Sequence, residues 1–328
     1  MTHDELVAAY TGGLAPVDRV VPFEGSARLR PDGRPRPEFR AELRKIPNVR
    51  NALLVFVALV YPFVAVGAAV ALDHPLGWVA AFFVMGAYFQ RALTLFHEAA
   101  HRLLFSNRRI NDLIGEKLIG WIAFGTGESN YRLAHSQHHR DEFGEREPDF
   151  ALYARYPIPR DSLRRKLTRD AIGVSGWKNV KPSLVGLFRS GRRVRALRFL
   201  GAQAVVFVVF ALFGHPWLFL LLWLLPWLTY WRVANRLRAL AEHAGMTRSD
   251  DRRLTTHHIR QGFLSKHVFL SQSIGYHLAH HVDSGIPMAN LPILQQALEE
   301  DGYVTESITH HGYRAFWRTL TRADDPER

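Results

Sequence analysis

The sequence predicts an all-α integral membrane protein, with four transmembrane helices in two hairpins beneath a cytosolic helical cap. Three observations lead there. The apolar residues gather in two long blocks, each block is split by a turn sequence, and most of the charge lies between and beyond them. The mean hydropathy of -0.09 hides this segregation. The first block runs from about Asn51 to Phe96 and divides at Asp73-His74-Pro75-Leu76-Gly77. The second runs from about Phe199 to Val233 and divides at Gly214-His215-Pro216. Pro and Gly in such clusters mark turns. The four pieces, at about 51–72, 77–96, 199–213 and 217–234, are read as spans of a hydrocarbon core about 30 Å thick. Four packed helices of a water-soluble protein do not fit, because Leu218–Leu228 offers water no polar face. Trp217, Trp227, Tyr230 and Trp231 suit an interfacial belt. Pro226 is expected to kink the last span.

The remaining segments follow from charge. Residues 1–49 form a mostly polar cytosolic arm, with a turn-rich stretch from Arg30 to Pro37 and no signal-peptide pattern. Residues 155–198 hold thirteen Lys/Arg against two Asp, while the turns on the other side carry almost no positive charge. The positive-inside bias therefore expects both termini and the central segment in the cytoplasm, with the chain in the cell's inner or plasma membrane. Anionic headgroups of the bilayer account for this basic run more simply than nucleic acid, which is not an expected partner. Ile110–Phe124 is apolar but interrupted by Asp112, Glu116 and Lys117, which predicts a half-buried interfacial helix. The cap comprises 125–198 and 235–320, so 50–320 reads as one membrane domain, followed by a polar, frayed tail at 321–328. The net charge is +12 and there is no Cys, which excludes disulfides, a thiol nucleophile and cysteine-held iron–sulfur clusters.

Seventeen histidines need an explanation. Eight fall in three clusters: His97-Glu98-Ala99-Ala100-His101, His135-Ser136-Gln137-His138-His139 and His277-Leu278-Ala279-His280-His281. On a helix, residues four apart share a face, so His97 and His101 can grip one ion. Each of the other clusters offers three imidazoles in a fan that serves two neighbouring ions. A ninth candidate, His243, follows the fourth span as the first cluster follows the second. Eight or nine histidines exceed the set of one zinc and point to a dimetal site in the cap. The motif at 97–101 is also the HExxH of zinc peptidases, with Glu98 as general base, but that reading as an intramembrane peptidase leaves both HxxHH clusters idle. Glu98 is better placed as a carboxylate that orients a ligand, or as an ion-pair partner. His257-His258 and His310-His311 have the wrong spacing and are read as surface residues.

HxxxH, HxxHH and HxxHH with two membrane hairpins resemble the membrane-bound fatty acid desaturase superfamily of histidine-rich diiron desaturases and hydroxylases, over roughly 50–300. Tyr276–His281, followed by Ile286-Pro287 and Asn290-Leu291-Pro292, is similar to the third histidine box of acyl-lipid desaturases. Arg238–Gly245 resembles the stretch after their fourth helix, and Glu147-Pro148-Asp149 fits the sequence after their second box. Two departures lie beside the ligands: Ala279 where many desaturases have Glu, and Val282-Asp283-Ser284-Gly285 where Leu-Phe-Pro is usual.

The resemblance implies two iron ions held by His97, His101, His135, His138, His139, His243, His277, His280 and His281, with O2 as co-substrate. Glu98, Asn130, Asp149, Glu242 and Asp283 are candidates for orienting the ligands, as are Asp141 and Glu142. The expected reaction inserts a double bond into a long-chain fatty acyl substrate, carried as lipid, acyl-CoA or on a carrier protein. Hydroxylation, ketolation or oxidative decarboxylation to a terminal alkene are the alternatives. The chain has no fused cytochrome-like stretch and no nicotinamide fingerprint, so a separate ferredoxin- or cytochrome-type donor and its reductase are expected to supply electrons. A metal transporter is disfavoured because the spans hold almost no polar groups to pass an ion.

Overall fold

The computed structural model describes the chain except residues 126, 127, 213, 264, 267–272, 274 and 323–328, and the side chains of 116 and 128–130. Asn130 as a ligand-orienting candidate and most of the polar tail therefore lie outside the described residues.

Helices dominate the chain order. They are α1 (His3–Tyr10), α2 (Pro37–Leu43), α3 (Asn48–Leu72), α4 (Pro75–Ala100) and α5 (Arg108–Asp112), then a π-helix over Leu113–Phe124. Next come α6 (Glu128–Arg140), α7 (Phe150–Tyr153), α8 (Arg160–Ala171), α9 (Val174–Gly186) and α10 (Arg193–Leu212). A second π-helix, Phe219–Leu224, leads into α11 (Leu225–Leu228) and α12 (Tyr230–His243). The chain closes with α13 (Arg252–Thr255), α14 (His277–Val282), α15 (Leu291–Glu300) and α16 (Tyr313–Thr319). Two small parallel pairings interrupt the helices: β1 (Ile158–Pro159) with β4 (Thr321–Arg322), and β2 (His258–Ile259) with β3 (Thr309–His310). The chain divides into two units. One comprises 1–46, 132–165 and 236–328, and the other 47–131 and 166–235.

The second of these units holds the apolar blocks. α3 and α4 form the first hairpin where the turn sequence places it. Asp73 ends α3 in the left-handed region, the His74 ring accepts from the Leu76 amide, and Pro75 opens α4. Met85, Phe89, Leu95 and Phe96 of α4 are fully buried, whereas Leu53, Phe56, Phe63 and Val64 of α3 face outward. Exposed apolar side chains on a long helix are the expected consequence of lipid as solvent. The helix expected over 110–124 is present as α5 and the first π-helix, and it is half-buried, with Ile119 and Ala123 buried and Ile110 and Leu113 exposed. Between α3, α4 and α10 lies an apolar cavity of about 430 Å³, lined among others by Leu59, Val66, Tyr88, Val205 and Phe210.

The fourth span is corrected. Three helices, not four, are long and apolar enough to cross a membrane among the described residues: those ending at Leu72, Ala100 and Leu212. The stretch 217–234 is a broken rod. Pro226 has no N–H and its ring crowds the carbonyl four residues back, a clash that the wider π turns over Phe219–Leu224 relieve. Thr229 then leaves helical geometry at φ −121° and ψ −88° before α12 begins.

The other unit carries most of the histidines. Tyr156, Ile158, Leu240, Ala244, Ile259, Phe316 and Leu320 form its core, with a smaller cluster of Phe143, Tyr153, Ala239 and Met246 beside it. The N-terminal arm contains two α-helices, a 3-10 turn at Val17–Arg19 and a turn at Arg30–Gly33, and it is held along its length. Gly12 and Leu14 pair with the backbone of Met246 and Gly245, Arg253 donates to the Val21 carbonyl, and Asn290 donates to that of Leu43. His257 and His258 are not surface residues, because the β2–β3 pairing carries them inside at 5% and 6% exposure. His310 is half-buried and His311 exposed, as expected of the second pair only in part.

Candidate metal centre

In the histidine-bearing unit, α6 and α14 each present their histidines in two directions. His135 and His139 share one face of α6, and His138 lies a turn between them. His277 and His281 share one face of α14, and His280 faces elsewhere. His243 closes α12 as its last residue. The result is two groups. The first is His138, His243, His277 and His281, all buried, with ring nitrogens within 4.8 Å of one another. In the second, the Nε2 atoms of His135 and His280 each stand 3.0 Å from that of His139.

The first group is oriented from outside. His138 donates from Nδ1 to Glu147 at 2.9 Å. His281 donates to Glu142 at 2.6 Å, and His243 to the Thr255 carbonyl at 2.8 Å. The Nδ1 of His277 faces Glu242 at 3.4 Å. With Nδ1 carrying the proton, each Nε2 presents a lone pair, the tautomer that metal-binding imidazoles adopt. The Nε2 of His277 lies 3.1 Å from that of His243 and 3.0 Å from that of His281. Lone pairs so placed repel unless a cation lies between them. Imidazole nitrogens each about 2.1 Å from a common ion, roughly at right angles, stand about 3.0 Å apart. The donor set therefore fits a metal ion, and two groups in one unit fit a dinuclear site. All-imidazole donors do not choose iron over zinc or copper.

Electrostatics agree. Burial holds His243 and His281 well below the ordinary imidazole range, so both rings are neutral, the form that can ligate a metal. Burial opposes a charge on His138 too, but the bond to Glu147 together with the charges of Glu147, Glu142 and Asp149 outweighs this and raises it. Burial likewise raises the carboxyls of Glu142, Glu242 and Asp149, against the pull of Arg252 on the first and Arg238 on the second. Arg252 also donates to the His139 carbonyl at 3.3 Å, so one guanidinium braces the Glu142 that orients His281 and the backbone of α6.

The other candidates divide. The Glu242 carboxylate lies 3.4 Å from the Nδ1 of His277 and that of Glu142 lies 2.6 Å from the Nδ1 of His281. Asp149 serves chiefly the turn before α7, its amide bonded to Glu147. Asp141 pairs with Arg248 at 3.0 Å, and Asp283 with Arg40 and the Gly285 amide. Glu147, Thr255 and Arg252 escape sequence reasoning. For Glu147 a signal exists, since it opens the Glu-Pro-Asp that trails the second cluster, nine residues after His138. For a backbone carbonyl such as that of Thr255 there is none. In the other unit, His97 and His101 stand side by side at the end of α4, ring centroids 4.8 Å apart, with Glu98 buried beside them.

Histidines in this pattern on a helical membrane scaffold define a class of protein before any comparison is made. A model of the fatty acid desaturase family matches residues 73–317, most of the chain, and the chain belongs to that family of histidine-rich diiron membrane proteins. Among known proteins, the dihydrorhizobitoxine desaturase of Bradyrhizobium elkanii is 25% identical over 247 residues, which cover 70% of each chain.

Proposed function

We propose that this protein is an O2-dependent diiron oxidoreductase that introduces a double bond into a long-chain fatty acyl substrate. The observation that carries the reading is the inward-facing set of Nε2 lone pairs on His138, His243, His277 and His281, each ring oriented through Nδ1. His135, His139 and His280 are proposed as ligands of the second ion, and His97 and His101, on their i,i+4 spacing, as further metal ligands. Family membership supports reading that pair as ligands rather than as a peptidase motif.

Bound iron supplies the oxidising power to remove hydrogen from an unactivated C–H bond, which no side chain here can do by acid–base chemistry. Overall, –CH2–CH2– with O2, two electrons and two protons gives –CH=CH– and two waters. The protein's own part is to hold. Glu147, Glu142 and the Thr255 carbonyl fix the tautomers, and burial keeps His243 and His281 neutral. The electrons come from a separate ferredoxin- or cytochrome-type protein. The apolar cavity among α3, α4 and α10 supports a chain-like substrate over a polar one. The relative named for dihydrorhizobitoxine supports desaturation as the reaction while leaving the substrate to be measured. The centre and termini face the cytoplasm, as the basic stretch 155–198 implies.

The test is mass spectrometry of lipids after turnover with O2, reductant and a ferredoxin-type donor, alongside iron analysis. A product lighter by two hydrogens is expected, and one heavier by one oxygen overturns desaturation in favour of hydroxylation. His138→Ala and His281→Ala are expected to lose iron and turnover together. Full turnover in either variant rules the centre out.

A further inference from the structure

We propose that the outward face of α9 lies in one membrane leaflet, where its cations bind anionic phospholipid headgroups. α9 is built inside out relative to a helix on a water-soluble protein. Its protein-facing side carries glycine: a Cβ added to Gly176 would stand 2.3 Å from the Leu228 carbonyl oxygen, and one added to Gly186 would stand 3.2 Å from the Ala196 Cβ. Small residues there let the helix lie close against α11 and the start of α10. The outward side is where the bulk is. Trp177, Lys181 and Val185 repeat at i, i+4 and i+8, and Phe188 continues the stripe just past the helix end. Trp177 is 53% exposed and Phe188 85% exposed. Lys178 and Arg189 flank the stripe, and Arg192 follows at the corner into α10, all exposed.

Charge selects the occupant. Residues 171–198 contain seven Lys/Arg and no Asp or Glu. A face on which Trp, Val and Phe are interspersed with cations, Lys181 among them, with no Asp or Glu in that stretch, is the composition of a helix lying in the headgroup region of an acidic leaflet. Its neighbour α10 is itself apolar and long enough to span, so the stripe runs directly into a membrane helix. An acidic protein would satisfy the lysines, but it would leave an apolar stripe facing water whenever it dissociated.

The chain has no cysteine, so single substitutions give unique labels. Val185→Cys and Phe188→Cys, each carrying a nitroxide, are to be placed in nanodiscs of phosphatidylcholine with phosphatidylglycerol. Both labels are expected to be reached by O2 and shielded from a water-soluble nickel complex. Lys178→Gln, Lys181→Gln and Arg189→Gln are expected to lower the ratio of retained phosphatidylglycerol to phosphatidylcholine, read by native mass spectrometry, about fivefold for each cation removed. Labels as open to nickel as in water overturn the proposal. So does an unchanged lipid ratio in the triple variant, or shielding that appears only when an acidic ferredoxin-type protein is added.

Discussion

Glu147 shows how little of a metal site lies in its ligands. Both oxygens of its carboxylate lie within 3.0 Å of the Nδ1 of His138, one of them also accepting from the Asp149 amide, and its side chain is almost wholly inaccessible. Glu147→Gln is expected to keep the fold and lower iron affinity about 10- to 100-fold, measured by chelator competition. His257 makes a different prediction. Burial lowers it to about 3, while its Nε2 donates to the Ala244 carbonyl at 2.8 Å. Above the unfolded value of about 6.5 both states are neutral and stability is unaffected. As pH falls from there toward 3, only the unfolded state takes up the proton, and stability falls by about 1.4 kcal/mol per pH unit. Thermal melts from pH 7 to 4.5 are expected to show this slope, and His257→Gln to flatten it. The chemistry-bearing histidines were legible because a helix turns their spacing into direction. Glu147 was half legible, through its motif. His257 and His258 were not, because β2 and β3 are joined by residues about fifty positions apart and a two-residue strand has no period to read.

At the scale of elements, the first hairpin was legible down to its turn, since Asp73, His74 and Pro75 each act locally. The last span was not. Its hydropathy is continuous, and the break at Thr229 is a matter of backbone geometry that hydropathy does not record. Close packing makes a prediction here. Gly176→Ala sets a methyl against the Leu228 carbonyl and is expected to destabilise the protein by about 1–3 kcal/mol, seen as a lower midpoint of unfolding in detergent. The same substitution at Gly201, which has nothing within 4 Å, is expected to have no such effect.

For the molecule as a whole, the amino-terminal arm is the part the sequence undersold. Its polar composition and turn-rich stretch from Arg30 to Pro37 give no sign of buried contacts, yet Leu29 and Leu43 are buried and Arg40 grips Asp283, two residues past the last motif histidine. Arg40→Ala is expected to speed proteolytic cleavage within residues 1–46 at unchanged protease concentration. The histidine-bearing unit has a further consequence, which concerns time. It is assembled from three separate stretches, and its first metal group takes one histidine from the middle stretch and three from the last. A ribosome delivers them in that order. The arm emerges first and must wait, while the membrane helices that separate the stretches are made and inserted, for the partners that will hold it. His138 waits likewise for residues more than a hundred positions downstream. The first group's four histidines therefore come together only after nearly the whole chain has been made, and on the proposed function metal would reach that group in the finished polypeptide rather than during its synthesis.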